Sequence, residues 1–486
     1  MKKQYLIYII ISLFFMLNIL NLKNLTLIDW DEGVYALQAE WLASNGNEGK
    51  PFNFQTPPLF QITIALFFKL IGYNGWVLNL ISIVFSCLTI YITFLLGKKI
   101  YNDTIGLISV FLFISSEYFL FFSKSGLSDA TFAFFFISAI YFFYRSLEEN
   151  RKLHYILCGF FTTLTCYTKY TGPVLFLFYL FAPLFLRKKN NKYLILYTLL
   201  IPILILVPYY IIFLKFLTLS GIKQRYGKLL GLHHLKHLYY LFRFAPIILT
   251  LSIFHRIKEK KDYFILSLIA IFFIILGFYH HYFRLSYPLI LLFLLFSACV
   301  VARWKKIRYY ITAMLFFMSI IIAYDTMLYH SPIPSALGKK IDYLSKFFKI
   351  NYILAIAPPN ILFYIPGNIM ATENSVITYK FMQLDKRETI RKDDNLFKNE
   401  RYVLVLSSNI FPQIDEKISK LTSQAIIKDS LEFVDAPIYY KDPFNELGTK
   451  RQIYKIYVFE LIKLGSPELD TLWKCGFYPG VVIIKR

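Results

Sequence analysis

Three carboxylates lie within four positions near the start of the chain, in the segment Ile28-Asp29-Trp30-Asp31-Glu32-Gly33-Val34-Tyr35. They directly follow an apolar run, residues 5–22, which is long enough to cross a bilayer because a spanning helix needs about 17–25 apolar residues. Ionised carboxylates beside hydrocarbon are costly unless they contact water, a cation or a substrate. Such a carboxylate can accept the proton of an acceptor hydroxyl as a general base, while its neighbour orients the acceptor or holds a cation. The alternative is a solvated loop that is acidic for no catalytic reason.

A fourth acid, Asp129, and three cations, Lys124, Lys169 and Arg284, lie near the ends of later apolar runs. Asp129 ends the segment Ser123-Lys124-Ser125-Gly126-Leu127-Ser128-Asp129, Lys169 lies in Thr168-Lys169-Tyr170, and Arg284 precedes Tyr287-Pro288. A base combined with cations suits transfer from a phosphate leaving group, because the charge that develops on the phosphate oxygens needs fixed donors. Each cation taken alone is better explained as an ordinary anchor at the membrane interface, so only the group as a whole points to a phosphate.

The composition defines the setting in which these residues act. The chain has 486 residues, of which 57% are hydrophobic and 19% aromatic, and its mean hydropathy is +0.51. These values exclude an ordinary soluble globular protein and predict a polytopic membrane protein. The net charge of +23 does not indicate nucleic-acid binding, because the Lys and Arg residues form short clusters between apolar runs. The five cysteines show neither a disulfide framework nor a zinc-site spacing.

Apolar runs of spanning character predict eleven membrane helices. They cover residues 5–22, 76–96, 104–122, 130–144, 155–168, 171–186, 193–213, 238–254, 263–279, 287–302 and 309–325. Basic clusters such as Lys98-Lys99 and Arg187-Lys188-Lys189 alternate with acidic or mixed connectors, and the positive-inside rule assigns the basic side to the cytoplasm. The N-terminus is therefore expected in the cytoplasm, as an uncleaved first span, and the chain after about residue 326 outside. The acids, Lys124, Lys169, Arg284 and the His233-His234 and His280-His281 pairs all fall on the outer face.

Two connectors and the tail are expected to have structure of their own. Residues 33–75 contain an amphipathic stretch and then a 13-residue apolar segment, Leu59 to Ile71, which suits helices lying on the membrane surface. The basic and aromatic segment 214–244 suits an anionic headgroup or phosphate, or is a plain exception to the charge rule. Residues 331–486 alternate strand and helix patterns and predict an extracytoplasmic α/β domain, with 1–330 forming the transmembrane domain. The expected strands are Tyr352–Ala357, Tyr402–Leu406 and Tyr454–Leu461, and the expected helices are Ile341–Phe348 and Ile414–Leu421.

Five of these features occur in an order that resembles a known group of enzymes. They are the Asp31-Glu32 pair, Pro57-Pro58-Leu59 followed by 67–72, Leu127-Ser128-Asp129, Thr168-Lys169-Tyr170, and Arg284 with Tyr287-Pro288. Over about residues 5–302 the chain resembles the protein O-mannosyltransferase and aminoarabinose transferase group, which are polyprenyl-phosphate-sugar-dependent glycosyltransferases of the C-type (GT-C) fold.

The resemblance implies transfer of one sugar from a polyprenyl-phosphate donor to an acceptor hydroxyl on the outer face, with inversion. Asp31 would be the catalytic base beside Glu32, and Glu32, Asp129 and Tyr35 would help to place the acceptor or the sugar. Lys169, Arg284 and Lys124 would contact the donor phosphate. No cofactor is required by the sequence, and binding of a divalent metal by the acids is an open alternative.

The chain departs from that group at one position and leaves other functions open. Gln55-Thr56 stands where the group often has lysine before the two prolines, which removes one expected phosphate contact. The Trp-Trp-Asp-Tyr-Gly signature of oligosaccharyltransferases does not occur in residues 331–486, which disfavours transfer of whole glycans. A membrane transporter and a non-catalytic glycan-assembly protein are the alternatives, although transporters place ionisable groups near the membrane midplane in paired halves. Neither the sugar, the carrier nor the acceptor (protein, lipid or glycan) follows from the sequence.

Overall fold

A computed structural model of the chain describes residues 3–20, 22–52, 56–186, 193–219, 231–279, 282–322, 331, 333–372, 385–390, 396–409, 418, 427–435, 452–461 and 481–486. The chain divides into two compact units. The first, called the membrane unit, comprises 1–22, 53–60 and 79–329. The second, called the sheet unit, comprises 23–52, 61–78 and 330–486, so the acidic segment is grouped with the C-terminal residues.

In the described residues up to 322, the regular elements are helices. Their bounds are α1 Lys3–Ile19, α2 Trp30–Ala43, α3 Leu59–Ile71, α4 Trp76–Ile100, α5 Asp103–Ile114, α6 Glu117–Phe122, α7 Asp129–Glu149, α8 Lys152–Thr168, α9 Val174–Leu186, a π-helical turn Leu194–Leu200 leading into α10 Ile201–Leu219, α11 His234–Phe244, α12 Pro246–Ile253, α13 Lys260–Tyr279, a 3₁₀ turn Phe283–Ser286 leading into α14 Tyr287–Arg303, and α15 Arg308–Ile322. Among the described residues, five helices are long and apolar enough to cross a membrane, which accords with a multi-pass membrane protein.

Two of the predicted spans are not continuous helices. The run 104–122 is divided into α5 and α6 at Ser115-Ser116, where the Ser116 side chain accepts a hydrogen bond from the Phe119 N–H and begins a new helix. The run 238–254 is divided into α11 and α12 at Ala245, because Pro246 follows and a residue before proline disfavours helical angles. Hydropathy alone does not detect these breaks, since both sides of each break are apolar. The predicted 13-residue segment 59–71 is α3.

The core of the membrane unit is built around α7, α8 and α14. Helices α7 and α8 pack against each other as a hairpin, and the turn between them uses Asn150 in the left-handed conformation, with φ of 51°. Helix α14 packs against α5 and α12 and is buried along most of its length, which fits its uninterrupted apolar sequence. The N-terminus of α7, the C-terminus of α8 and the N-terminal turn of α14 lie close together, as the ion pairs described below show.

The sheet unit contains a six-stranded sheet of order β2-β8-β1-β5-β7-β6. Its strands are β1 Tyr352–Ile356, β2 Asn368–Ile369, β5 Tyr402–Ser408, β6 Ile427–Asp435, β7 Gln452–Glu460 and β8 Val481–Lys485, while β3 Ala371–Thr372 and β4 Thr389–Ile390 form a separate pair. β1 and β5 are parallel, and β8 and β7 run antiparallel to them. Two further helices are α16 Ile333–Phe348 and α17 Pro359–Leu362.

Both faces of the central strands are covered. Ile353 and Leu404 pack in one apolar cluster with Leu337 and Ile341 of α16, whereas Leu354 and Val405 pack in a second cluster on the other face. Strands buried on both faces need continuous apolar sequence, which is what made β1, β5 and β7 predictable. The helix predicted at Ile341–Phe348 is the C-terminal half of α16, and the one at Ile414–Leu421 lies, apart from Ile418, outside the described residues. The predicted fold class, a polytopic helical membrane protein with a C-terminal α/β domain, is confirmed.

Candidate active site

One carboxylate in the membrane unit binds two of the three predicted cations. Asp129 Oδ1 is 2.5 Å from Lys169 Nζ, and Asp129 Oδ2 is 3.0 Å from both Nε and Nη2 of Arg284. The Asp129 side chain is 1% exposed, and those of Lys169 and Arg284 are 13% and 11% exposed. The sequence predicted Lys169 and Arg284 together as phosphate contacts and gave Asp129 a different role, and the structure brings the three residues, called the Asp129 cluster below, together.

The local fold explains why these residues meet. Asp129 is the first residue of α7 and Lys169 is the residue that caps the end of α8, so the antiparallel hairpin places them side by side. The carboxylate lies at a helix N-terminus and the ammonium at a helix C-terminus, where the backbone dipoles favour each charge. Arg284 comes from the 3₁₀ turn that precedes α14.

The charge balance of the Asp129 cluster suits an anion. A buried carboxylate is strongly unfavourable without partners, and here two cations supply them. Counted over these three side chains alone, one negative and two positive groups give a net charge of +1. Arg284 presents a planar fork of donors and Lys169 a compact charge, which are the two ways in which proteins bind phosphate oxygens. The role expected for Asp129, placing acceptor or sugar, remains a prediction, but its contacts favour holding the two cations in position.

Lys124 and the Thr56 position lie in the same unit. Lys124 is on the turn between α6 and α7, its carbonyl accepts a hydrogen bond from Asn79 Nδ2, and burial lowers the pKa of its ammonium. At the position of the missing lysine, the Thr56 carbonyl accepts a hydrogen bond of 3.3 Å from the Tyr209 hydroxyl, which is 3.1 Å from the hydroxyl of Tyr170. Tyr170 directly follows Lys169 in the chain. The two tyrosine hydroxyls therefore connect the Thr56 backbone to the segment that carries Lys169 of the Asp129 cluster.

The acidic segment begins α2 in the sheet unit, and two of its acids form the helix cap. Asp29 Oδ1 accepts a 2.7 Å hydrogen bond from the Asp31 N–H, and Glu32 Oε2 accepts bonds of 2.6 and 3.1 Å from the N–H groups of Ile28 and Asp29. This reciprocal arrangement is a capping box. Asp29 and Glu32 are 2% and 0% exposed, whereas Asp31 is half-buried. The capping box is thus formed with the side chains of Asp29 and Glu32, whereas Asp31 contributes its backbone N–H.

Residues from the C-terminal part of the sheet unit hold this segment. The Tyr364 hydroxyl accepts a 2.9 Å hydrogen bond from the Leu27 N–H, and Asn360 Nδ2 donates to the carbonyls of Leu27 and Ile28 at 3.4 and 3.3 Å. Burial and the nearby Glu32 charge raise the pKa of Tyr364, although the bond from Leu27 opposes that shift. Tyr364 is therefore a neutral phenol at physiological pH, and it fixes the backbone that leads into the cap.

Gly33 allows α2 to approach α17 closely. A Cβ atom at Gly33 would lie 2.0 Å from the Asn360 nitrogen and 2.2 Å from the Pro359 carbonyl carbon. Tyr35, predicted to help place the substrate, is 3% exposed on α2. The sequence pattern identified the acids but missed Asn360 and Tyr364, because neither residue stands in a motif and their contacts span more than 300 positions of the chain.

A metal site is not evident in the part of the chain that the structure describes. No group of three or more His, Cys, Asp or Glu side chains there has the arrangement to hold a metal ion. Metal dependence stays an open prediction. The predicted His280-His281 pair and the centre of the basic segment, residues 220–230, lie outside the described residues.

Comparison with known proteins confirms the resemblance noted in the sequence. Residues 55–212 match the family model described as dolichyl-phosphate-mannose-protein mannosyltransferase. This segment includes Asp129, Lys169 and the Pro57-Pro58 step. A comparison with curated proteins gave no match.

Solved structures show the same fold at low sequence identity. ArnT from Cupriavidus metallidurans bound to undecaprenyl phosphate has a TM-score of 0.64 and 12% identity, covering 93% of this chain and 97% of that one. Its apo structure gives 0.65 with the same identity and coverage. The apo oligosaccharyltransferase of Archaeoglobus fulgidus gives 0.50 and 12% identity over 82% of this chain and 69% of that one. The chain thus has the GT-C fold, and the family match supports a membrane glycosyltransferase.

Proposed function

We propose that the protein transfers a single sugar from a polyprenyl-phosphate donor to the hydroxyl of a protein, lipid or glycan acceptor, with inversion, at the outer face of the membrane. The Asp129 cluster carries this proposal, because it brings two cations to one buried carboxylate. Two of its members, Asp129 and Lys169, lie in the segment that matches the mannosyltransferase family. The fold match to a structure bound to undecaprenyl phosphate supports a lipid-linked donor.

The residues divide into two chemical roles. Asp31 is the proposed base that takes the proton from the acceptor hydroxyl, and it is the acid of its segment whose side chain lies outside the capping box. Arg284 and Lys169 are the proposed donors to the phosphate, where they stabilise the negative charge that develops as the bond to the sugar breaks. Thr56 supplies no charge, so this phosphate depends more heavily on the Asp129 cluster.

The test combines turnover with donor binding in detergent-purified protein. A radiolabelled polyprenyl-phosphate sugar should lose its label to an acceptor fraction, and a polyprenyl phosphate should bind without any acceptor. Arg284→Ala should weaken that binding about tenfold to hundredfold, the range expected for a charge-assisted hydrogen bond, and Arg284→Lys should weaken it less.

Arg145 provides a matched control, because its Nε pairs with Glu149 at 2.9 Å at the other end of α7. Arg145→Ala should leave donor binding unchanged. Unchanged donor affinity in Arg284→Ala would disprove the assigned phosphate site. Movement of an intact lipid-linked sugar across proteoliposomes without sugar transfer would favour the transporter alternative.

A further inference from the structure

The 3₁₀ turn that carries Arg284 is held by side chains from two other helices. On one side, the Tyr118 hydroxyl of α6 donates a 3.0 Å hydrogen bond to the Phe283 carbonyl. On the other side, His237 Nδ1 of α11 lies 2.8 Å from Ser286 Oγ. Tyr118 is 1% exposed, and His237 and Ser286 are both 0% exposed, so these contacts are shielded from competing water.

The two supporting helices are themselves connected. Arg243 Nη1 of α11 pairs with Glu117 Oε2 of α6 at 3.1 Å, and the Glu117 side chain is 1% exposed. The Phe283 ring fills the space between them, at centroid distances of 5.8 Å from Phe122 and 5.2 Å from Phe244. Helix α11, helix α6 and the turn therefore each contact the other two. Within this arrangement, His237 makes its polar contact with the last residue of the turn, Ser286.

A short 3₁₀ turn has few hydrogen bonds of its own, so outside contacts decide its geometry. Arg284 must keep its planar guanidinium aligned with Asp129 to present donors in fixed directions, and a small displacement of such a donor has a large effect on binding. A histidine buried for packing alone would be replaceable by any apolar group of similar size. His237 instead bonds to a hydroxyl two residues from Arg284.

We propose that His237 is a positioning residue for Arg284, and that its hydrogen bond to Ser286 fixes the turn in the orientation that binds the donor phosphate. This inference rests on the proposed function. His237 acts through Ser286 and the backbone of the turn and has no contact with the phosphate in this scheme.

The experiment measures binding of a polyprenyl monophosphate to the full-length purified protein. His237→Leu removes the polar contact and should weaken binding about threefold to tenfold, the range that one hydrogen bond supplies. His237→Asn keeps a polar atom at the position of Nδ1 and should bind within about twofold of wild type. Ser286→Ala removes the same hydrogen bond by deleting its other partner, and it should weaken phosphate binding by the same factor as His237→Leu. If the His237→Leu protein does not fold, Ser286→Ala serves as the test variant instead.

His234 is the matched control on the same helix. Its Nε2 lies 3.2 Å from the Ile274 carbonyl of α13, so it bonds away from the turn. His234→Leu should bind the phosphate as wild type does. Equal weakening by His234→Leu and His237→Leu would indicate a general loss of α11 packing and overturn the proposal.

A double-mutant cycle tests whether the effect passes through Arg284. In an Arg284→Ala background, His237→Leu should cause no further loss, because the group that it positions is absent. A further loss of the same factor would overturn the inference. If Arg284→Ala itself binds like wild type, the proposed phosphate site is wrong and the inference falls with it. If Arg284→Ala is impaired and His237→Leu is not, the inference alone is wrong.

Discussion

At the scale of single residues, the three neighbouring acids differ because the side chains of two of them cap the start of α2. Asp29 and Glu32 each accept backbone hydrogen bonds at the start of α2, and both are almost fully buried. Asp31 lies between them in sequence, in the first turn of the helix, and is half-buried. Its side chain takes no part in the capping box, which is why Asp31 is the acid that we propose as the base.

Exchanging the acids for their amides should separate these roles. Asp31→Asn removes the base and should reduce sugar transfer by about two orders of magnitude or more, with the protein still folded. Asp29→Asn should change transfer much less, because asparagine caps helices as well as aspartate does. Turnover of a labelled polyprenyl-phosphate sugar measures both, and circular dichroism confirms folding. A larger loss in Asp29→Asn than in Asp31→Asn would transfer the role of base to Asp29.

The sequence singled out candidate residues, whose roles stay predictions, but it did not predict the contacts that these residues make. The Asp-x-x-Glu spacing at 29–32 is itself a helix-start signal, so the cap could in principle be predicted from the sequence. The pairing of Asp129 with both Lys169 and Arg284 could not be predicted, because these residues are separated from Asp129 by 40 and 155 positions and meet only through helix packing. His237 gave no distinguishing signal among the basic and aromatic residues of 214–244.

At the scale of elements, hydropathy located the helices but not the breaks and close contacts that shape them. Ser115-Ser116 and Pro246 interrupt apolar runs that look continuous by composition. The contact between α2 and α17 depends on the absence of a side chain at Gly33. A glycine inside a helix pattern predicts either a weak point or a close approach, and only the packed structure decides between them.

Gly33→Ala should disturb the position of the acidic segment. The added methyl group would collide with backbone atoms of Pro359 and Asn360, which cannot move aside as a side-chain end can. We expect a loss of about 1–3 kcal/mol in stability, typical of overpacking, together with reduced sugar transfer. Thermal unfolding of the purified protein measures the first effect. Val34→Ala, which removes atoms at a neighbouring half-buried position, should retain more activity. Equal stability of Gly33→Ala and wild type would show that the close approach does not exist.

At the scale of the whole molecule, the two ends of α7 differ in chemistry. Its first residue belongs to the Asp129 cluster, whereas at its other end Glu149 pairs with Arg145 and Lys99, each at 2.9 Å. The membrane character followed from composition and hydropathy, and the α/β domain followed from the alternation of strand and helix patterns after residue 331. The grouping of 23–52 and 61–78 with the C-terminal residues could not be predicted, because it depends on contacts between distant parts of the chain.

The positions of the basic clusters along the chain lead to a prediction of membrane orientation. Because basic clusters stay in the cytoplasm, the loop between α7 and α8, which contains Arg151, should face the cytoplasm, whereas the loop after α2 should face outside. Arg151 has a side chain that is 73% exposed, and Asn47 is exposed after α2, so both suit single-cysteine labelling. The native cysteines would first be replaced by serine or alanine. An impermeant thiol reagent should label Asn47→Cys in intact cells, and Arg151→Cys only after permeabilisation. The reverse pattern would place the acidic segment in the cytoplasm and would contradict an outer-face reaction.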